Sequence, residues 1–497
     1  MSQQPPDPGP ALADWAAAAL VFGASAAVLV VELVALRLLA PYLGLTMETS
    51  TLVIGTALVA IALGALYGGR TADVVAPRRT IAPLLAISGA AVAVTPFAVR
   101  GAGEGGSAGL LILVAGLTIV IPGALLSAVT PMVIKLMLTT LTETGTVVGR
   151  LSGIGTVGAI FGTVVTGFVL ISRVPVTGIM VGLGLLLLIA AIVVEIGVRR
   201  RPPVLPLALI LVGVLGALVA PGGCDAETKY HCAEVRSDPN RAGGRLLVLD
   251  GLRHSYVDVD DPTFLEFSYV KALAGIVDGS FEPRESLDAY HVGGGGVTFP
   301  RYLAETRPGT RSAVSEIDPG VVDVDTDRLA LETGPALRVR IEDGRLGVRR
   351  VADSSRDLVV GDAFGGVSVP WHLTTVEYVE ELRRVLRPEG VYAVNIIDFH
   401  PLGFARAELA TLRRVFDHVA LSADAFTLSG NGGGNLVAIA SDSPIDKSAV
   451  ERGFEEQQLA WDVIDGDRLT EWIDGARVLT DDYAPVDQLL TAHPPNG

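Results

Sequence analysis

Four consecutive glycines, Gly293 to Gly296, separate a strand-like segment from a helix-like one in "DAYHVGGGGVTFPRYLAE" at 288–305. Glycines at such a junction let backbone amides approach a nucleotide ligand closely, because no Cβ intrudes and the helix N-terminus favours an acceptor. A glycine run by itself is weak evidence for a nucleotide site. The residues that follow it decide whether the interpretation holds.

Three acidic residues come after the glycines, each at the end of a predicted strand. Glu316, in "AVSEID", follows Gly293 by 23 residues, the separation at which a carboxylate can accept hydrogen bonds from ribose hydroxyls. Asp343 ends the next strand in "IEDG", and Asp362 ends the one after it in "LVVGDAF". Each residue alone would more often be a solvated loop residue or a helix N-cap. Together with the glycines they predict a nucleotide-binding site.

The elements that position these residues alternate through the second half of the chain. After a predicted linker at 221–242, "RLLVLDGLRHSYVDV" alternates around Gly251 like a β-hairpin. We predict strands at 287–292, 311–317, 337–342, 357–362, 391–397, 418–422 and 435–440, and helices at 298–305, 319–331, 374–387 and 404–416. This alternation predicts a mainly parallel α/β sheet domain over 243–497, with ligands at the carboxyl ends of the strands.

The first half of the chain has a different composition. The mean hydropathy of +0.48 and the 50% of hydrophobic residues are too high for an ordinary soluble enzyme. A tail at 1–14, which we expect to be disordered, precedes a predicted bundle of about seven helices over 15–220. The predicted spans, each long enough for a bilayer, lie near 15–40, 51–69, 80–99, 109–138, 154–172, 177–198 and 203–220. The fourth contains Pro122 and Pro131, so a kinked helix and a helix with a re-entrant piece both remain open.

The basic residues of the first half predict its orientation, since they accumulate in cytoplasmic loops. The loops after spans two, four and six carry most of them: Arg70, Arg78, Arg79, Lys135, Arg150, Arg199, Arg200 and Arg201. We therefore predict a multi-pass cell-membrane protein, with the lipid bilayer as a partner and the N-terminus inside. After seven spans the C-terminal domain would be extracytoplasmic.

The two cysteines and the charge distribution limit the compartment, the metal sites and the partners that the protein can have. Cys224 and Cys232 suit a short disulfide loop in an oxidising compartment, with two unrelated thiols as the alternative. No His/Cys cluster with ligand spacing accompanies them, so we expect no metal site. The formal net charge of −16 lies mainly in the second half, and the lack of a basic patch argues against nucleic acid as a partner.

Several motifs resemble one family. "LDGLRH", "HVGGGGVTFPRYL", "SEID" and "RDLVVGDAF" are similar to the L-D-G-x-x-Q, G-G-G-D-G, E-[IL]-D and D-[ST]-[ST]-D-P segments of the spermidine synthase family of polyamine aminopropyltransferases. In the first half, "VVELVALRLLAPYLG" and "LGALYGGRTAD" resemble the first two spans of the membrane-fused bacterial members, and "LTDDYAPVD" at 479–487 resembles their ending. The resemblance implies a membrane bundle followed by a Rossmann-like, methyltransferase-type α/β domain with a small N-terminal β-hairpin region.

The resemblance also implies a set of site residues. In the family, the matching positions hold decarboxylated S-adenosylmethionine, and here they are Gly293, Gly294, Gly295, Glu316 and Asp343. Asp362 matches the first aspartate of D-[ST]-[ST]-D-P, and we take it as a further donor contact and as the candidate general base. The candidate residues on the amine side are His254, Asp481, Asp482 and Tyr483.

Departures from the family pattern concentrate on the amine side. Gly365 stands where the resemblance places the aspartate that deprotonates the attacking amine, and an ammonium has no lone pair for attack. Gly296 replaces the amine-binding aspartate of G-G-G-D-G, and His254 replaces the glutamine of L-D-G-x-x-Q. These losses predict weak or absent aminopropyl transfer to putrescine, unless Asp362 or the group at 481–483 supplies the base.

Two functions therefore remain open. The first is a membrane-bound aminopropyltransferase-like enzyme that uses an adenosyl-sulfonium donor and an amine. The second is an extracytoplasmic ligand-binding pseudoenzyme domain attached to a transporter-like bundle. Both take a small amine or nucleoside as ligand, and a homodimer is the candidate assembly.

Overall fold

A computed structural model describes residues 12–43, 47–104, 108–138, 144–199, 202–217 and 224–491 of the chain. Internal contacts divide the chain into two compact units, Met1–Gly223 and Cys224–Gly497. Most of the predicted tail at 1–14 lies outside the described residues, and Asp14 already begins a helix.

The described part of the first unit is helical. Its helices are α1 (Asp14–Leu43), α2 (Met47–Val74), α3 (Pro77–Glu104), α4 (Ala108–Ser127), α5 (Val129–Met137), α6 (Thr144–Val165), α7 (Val176–Val194) and α8 (Val204–Ala217). Short π-helical turns, Thr166–Leu170 and Glu195–Arg199, extend α6 and α7. Within the described ranges, six helical stretches are long and apolar enough to cross a membrane. These findings are consistent with a membrane protein.

Two of the predicted spans differ in detail from the structure. The fourth is formed by α4 and α5, which meet at Ala128 within one apolar stretch, Gly109–Met137, and both the kinked helix and the re-entrant piece stay open. The seventh appears as α8, which is described over 14 residues. Its predicted end at 220 lies outside the described residues, so a seventh span stays a prediction.

Small residues bring helices of the first unit close together. A Cβ on Gly158 of α6 would lie 2.4 Å from the backbone oxygen of Phe22 in α1, and one on Gly162 would lie 2.5 Å from that of Ala26. Any larger side chain would push the two helices apart, which is the usual reason for small residues at helix contacts in lipid. The small residues of "GTVGAIFGTVVTG" at 155–167 thus allow close packing of α6 against α1.

The second unit combines two sheets with helices. Its strands are β1 (Ala226–Glu227), β2 (Cys232–Ser237), β3 (Gly244–Leu249), β4 (Leu252–Asp258), β5 (Asp288–Val292), β6 (Arg311–Glu316), β7 (Leu337–Ile341), β8 (Arg356–Gly361), β9 (Leu386–Phe399), β10 (His418–Ala423), β11 (Gly433–Ser441) and β12 (Asp462–Ile464). Its helices are α9 (Ser268–Ser280), α10 (Thr298–Thr306), α11 (Pro319–Arg328), α12 (Gly344–Val348), α13 (Val376–Val385), α14 (Gly403–Val415), α15 (Ala425–Leu428), α16 (Lys447–Glu456), α17 (Gly466–Ile473) and α18 (Val486–Leu489).

The smaller sheet contains the predicted hairpin and two more strands. Its order is β1-β2-β3-β4, and all of its pairs are antiparallel. Strands β1 and β2 lie within the stretch that the sequence suggested was a linker. The hairpin β3–β4 thus forms one end of a four-stranded sheet.

The larger sheet has the order β12-β10-β11-β9-β8-β5-β6-β7. Strands β5 to β9 run parallel, whereas β10, β11 and β12 join by antiparallel pairs. Buried residues cover both faces: Tyr290 and Val292 pack in a core with α13 and α14, and Ala289 packs in another with α9, α10 and α16. This is a Rossmann-like arrangement.

The site lies where the chain changes direction across this sheet. From β5 the chain continues to β6 and β7 on one side, and it then crosses to β8 and β9 on the other. Ligands of open α/β sheets bind at such a switch point, beyond the carboxyl ends of the strands. The two ends are joined here, because the Asp362 N–H donates to the Val292 carbonyl at 2.8 Å.

Candidate functional site

The glycine run forms the turn between β5 and α10. Gly293 has φ of +101°, and a Cβ at this position would lie 2.0 Å from the Asp362 carbonyl oxygen, so only glycine fits. Gly294 donates its N–H to Glu316 Oε2 at 2.8 Å. Gly295 packs against His254, whose Nδ1 would lie 2.9 Å from an added Cβ. An added Cβ would meet the protein's own atoms at each of these positions, so the glycines let the turn pack closely against Asp362, Glu316 and His254.

Glu316 lies at the end of β6 and is buried. Its second oxygen, Oε1, accepts the Asp318 N–H at 2.8 Å, so one carboxylate ties the glycine run to the start of α11. Burial raises the pKa of Glu316, and the two backbone hydrogen bonds oppose that shift. Each oxygen keeps a further lone pair, which suits a ribose hydroxyl as donor.

Asp343 caps the short helix α12. It accepts the Leu346 N–H at 3.0 Å, and His372 Nε2 lies 2.9 Å from its other oxygen. Burial would raise the pKa of Asp343, but these two contacts outweigh it and leave the pKa below its usual value. The carboxylate is thus held in its charged form beside the end of β7.

These groups surround a cavity of about 80 Å³. Gly293, Gly295, Glu316 and Asp343 line it, together with residues that the sequence did not single out, among them His231, Ile317, Ala363, Phe364, Pro370 and His372. The structure therefore brings the predicted glycines and the first two acidic residues to one place. We refer to it as the donor cavity.

A second, larger cavity of about 460 Å³ adjoins it. His254 and Phe364 line both, so they lie at the junction. Burial lowers the pKa of His254 to about 4, which leaves the imidazole neutral at pH 7. Within the described part of the chain its Nδ1 is buried with no hydrogen-bond partner. We refer to the larger space as the acceptor cavity.

Asp362 lies in the acceptor cavity and is not among the residues that line the donor cavity. Tyr269 donates its hydroxyl to Asp362 Oδ2 at 3.0 Å, and Asn395 Nδ2 donates to Oδ1 at 2.9 Å. Asn435 continues the chain by donating to Asn395 Oδ1 at 2.9 Å. Burial raises the pKa of Asp362 to about 6, and the two hydrogen bonds reduce the shift. A carboxyl group with this pKa can accept a proton near neutral pH.

The other predicted amine-side residues lie elsewhere. Asp481 forms an ion pair with Arg345 at 2.6 Å and accepts the Thr375 hydroxyl at 2.8 Å, and it lines neither cavity. Asp482 and Tyr483 are also absent from both linings. Gly365 pairs with Ser368 in an isolated bridge, and its neighbours Gly366 and Val367 line the acceptor cavity instead.

Sequence reasoning missed three polar residues of the acceptor cavity. Asn395 lies near the carboxyl end of β9, so the end-of-strand rule that selected Asp362 could have found it. Asn435 is brought there by the antiparallel pairing of β11 with β9, opposite Ile397, and Tyr269 comes from α9. No sequence pattern predicts that Asn435 and Tyr269 line the acceptor cavity.

Two further carboxylates support the site from outside. Asp325 of α11 is fully buried and accepts the Gly296 N–H with both oxygens, at 3.1 and 3.0 Å. Asp250 accepts the Cys232 N–H at 2.9 Å and lies 2.8 Å from His231 Nδ1. Cys232 is disulfide-bonded to Cys224, so the predicted pairing is confirmed and closes the loop that carries His231 to the donor cavity.

Among the described residues, no group of three or more His, Cys, Asp or Glu side chains could hold a metal ion. The donor cavity combines a glycine turn at a strand end with two acidic strand ends, which are the features that Rossmann-like domains use for nucleosides. The fold and the site together thus define an α/β domain with a nucleoside-type cavity and a second cavity joined to it.

Comparisons with known proteins agree with this class. No protein-family model matches the chain. The polyamine aminopropyltransferase of Chromobacterium violaceum is 32% identical over 142 residues, which cover 28% of this chain and 53% of that protein. The polyamine aminopropyltransferase of Vibrio vulnificus is 28% identical over 247 residues, covering 47% of this chain and 79% of that protein. The chain thus matches about half the length of the first relative and most of the second.

Among solved structures, a probable spermidine synthase from Corynebacterium glutamicum matches with a TM-score of 0.49 and 28% identity, covering 53% of this chain and 97% of that one. The chain is similar in sequence to the polyamine aminopropyltransferases. The resemblance of its second-half motifs to this family is confirmed, and the resemblance of its first half to the membrane-fused members stays a prediction.

Proposed function

We propose that this protein is a membrane-bound transferase that moves an aminopropyl group from an adenosyl-sulfonium donor to an amine. The donor is decarboxylated S-adenosylmethionine or a related adenosyl compound. The observation that carries the proposal is the junction of two cavities, one built like a nucleoside site and the other containing a half-buried carboxylate with a raised pKa.

The geometry supports a division of roles. The turn at Gly293–Gly295, Glu316 and Asp343 would hold the nucleoside, with the sulfonium near His254 and Phe364 at the junction. A cationic imidazole there would repel the sulfonium, so the lowered pKa of His254 suits the donor. An amine in the acceptor cavity would then face the donor's propyl chain.

The transfer is a displacement at carbon. The ammonium passes a proton to Asp362, and the lone pair of the resulting amine then forms a bond to the propyl carbon that is attached to sulfur. The bond between that carbon and sulfur breaks with its electron pair on sulfur, and methylthioadenosine leaves as a neutral thioether. Incubating the full-length protein with labelled decarboxylated S-adenosylmethionine and several amines tests the proposal, which predicts labelled alkylated amine.

We further propose that the catalytic unit lies on the extracytoplasmic side. The distribution of Arg and Lys around the spans and the disulfide between Cys224 and Cys232 support this side. A reporter that is active only outside the membrane, fused after residue 497, should be active, and a cytoplasm-only reporter at the same place should be silent. The opposite pair of results would place the unit in the cytoplasm and contradict the count of seven spans.

A further inference from the structure

The charges that line the acceptor cavity are few. Its charged side chains among the described residues are Arg253, Glu266 and Asp362, and His254 is neutral. Arg253 and Glu266 are exposed and lie at the rim, whereas Asp362 is half-buried at the inner end. The cavity thus offers one half-buried anionic group and, at its mouth, one cation and one anion.

The inner end accommodates a single ammonium. Both oxygens of Asp362 already accept hydrogen bonds, and the donors are the uncharged Tyr269 and Asn395. The carboxylate has no cationic partner among the described residues, so an ammonium that reaches it would gain an ion pair without displacing one. A second carboxylate at this depth is absent from the described lining.

One wall of the cavity joins this inner end to the rim. The Arg253 guanidinium lies 5.2 Å from the centre of the Phe267 ring, that ring lies 6.1 Å from the Tyr269 ring, and the Tyr269 hydroxyl bonds Asp362. An extended amine lying along these aromatic faces would point its far end toward Arg253. A second ammonium there would meet a like charge, which Glu266 offsets only in part.

We propose that the acceptor is an amine with one ammonium and an uncharged polar tail, and not a diamine. The inference rests on the proposed function and names the substrate class of the same site. Asn435 also lines the cavity, and one N–H of its side-chain amide bonds Asn395. The second N–H and the carbonyl oxygen of the same amide suit a hydroxyl or amide in the tail. The ammonium pairs with Asp362, and the tail occupies the wall between Tyr269 and the rim.

Two amines of equal length test the proposal. Calorimetry on the detergent-solubilised full-length protein, saturated with methylthioadenosine at pH 7.5, would compare 4-amino-1-butanol with putrescine. We expect the amino alcohol to bind at least about tenfold more tightly, because a like-charge contact that is only partly offset and costs about 1.4 kcal/mol corresponds to a tenfold change in affinity. This readout does not need turnover.

A charge reversal provides the second arm. Arg253→Glu should tighten putrescine binding about tenfold and leave the amino alcohol less affected. Arg338→Glu, on the exposed edge strand β7, makes the same change of charge outside the cavity and should leave the order of affinities as in the parent. Equal or tighter binding of putrescine by the parent, or binding of neither amine, contradicts the inference. Failure of methylthioadenosine to bind contradicts the proposed function instead.

Discussion

Replacing Asp362 by Asn is expected to reduce amine transfer by about 10²–10⁴-fold, the usual contribution of a positioned general base. The amide cannot accept the proton that the attacking ammonium must lose, yet it keeps the size of the carboxyl group. Because Asp362 lies in the acceptor cavity and not in the donor lining, the affinity for methylthioadenosine should stay within about twofold of the parent.

The pH dependence of the parent checks the same assignment. Only the deprotonated carboxylate can act as base, so transfer should rise as the pH increases through about 6, the raised pKa of Asp362. The Asp362→Asn variant should lose this rise of transfer with pH along with the activity. Asp323→Asn, at an exposed carboxylate of α11 outside both cavities, is the matched control and should behave as the parent. Parent-like transfer by Asp362→Asn would remove this residue from the mechanism.

Replacing Glu316 by Ala should weaken methylthioadenosine binding about ten- to a hundredfold, through the loss of charge-assisted hydrogen bonds of 1.5–3 kcal/mol. The substitution also leaves the N–H groups of Gly294 and Asp318 without their acceptor, so the turn that cradles the ligand loses its anchor. Glu316→Gln keeps one acceptor oxygen and should lie between the parent and the alanine variant.

Calorimetry with methylthioadenosine on the full-length variants measures this effect. Thermal unfolding on the same samples separates lost affinity from lost structure, since a folded Glu316→Ala protein with a shifted affinity assigns the loss to the site. Parent-like affinity in a folded Glu316→Ala protein would show that the ribose is held elsewhere, and the donor cavity would need another occupant.

The sequence was most informative where local rules decide the structure. The parallel strands β5 to β8 and the helices α10 and α11 lie within a few residues of their predicted positions, because apolar strand runs, glycines and N-cap residues are local signals. The placing of Glu316 and Asp343 beside the glycine turn follows from the same alternation, since the carboxyl ends of parallel strands share one edge.

Residues joined by long-range pairing could not be predicted in this way. Asn435 reaches Asn395 only because β11 returns antiparallel beside β9, and a shift of one residue in that register would turn its side chain to the other face. Asp325 belongs to the acidic segment "VVDVDTDR", in which no local pattern predicts its burial, yet it lies in the interior and accepts the Gly296 N–H.

The stretch expected to be a linker shows a third kind of difference. Cys232–Ser237 forms a strand although its sequence, "CAEVRS", contains few apolar residues, and Ala233 is its one buried member. The hydrogen bonds to β3 and the disulfide to Cys224 hold this strand in place. Partly polar strands that are stabilised by their neighbours give little signal in hydropathy.

The most direct test of the proposed chemistry is the stoichiometry of transfer by the full-length protein. Decarboxylated S-adenosylmethionine labelled in its propyl chain would be incubated with 4-amino-1-butanol, and both products would be quantified. We expect one labelled alkylated amine for each methylthioadenosine released. The Asp362→Asn variant should form neither product at a comparable rate. Tight binding of methylthioadenosine without labelled product from this or any other amine would contradict the transferase and leave a ligand-binding domain.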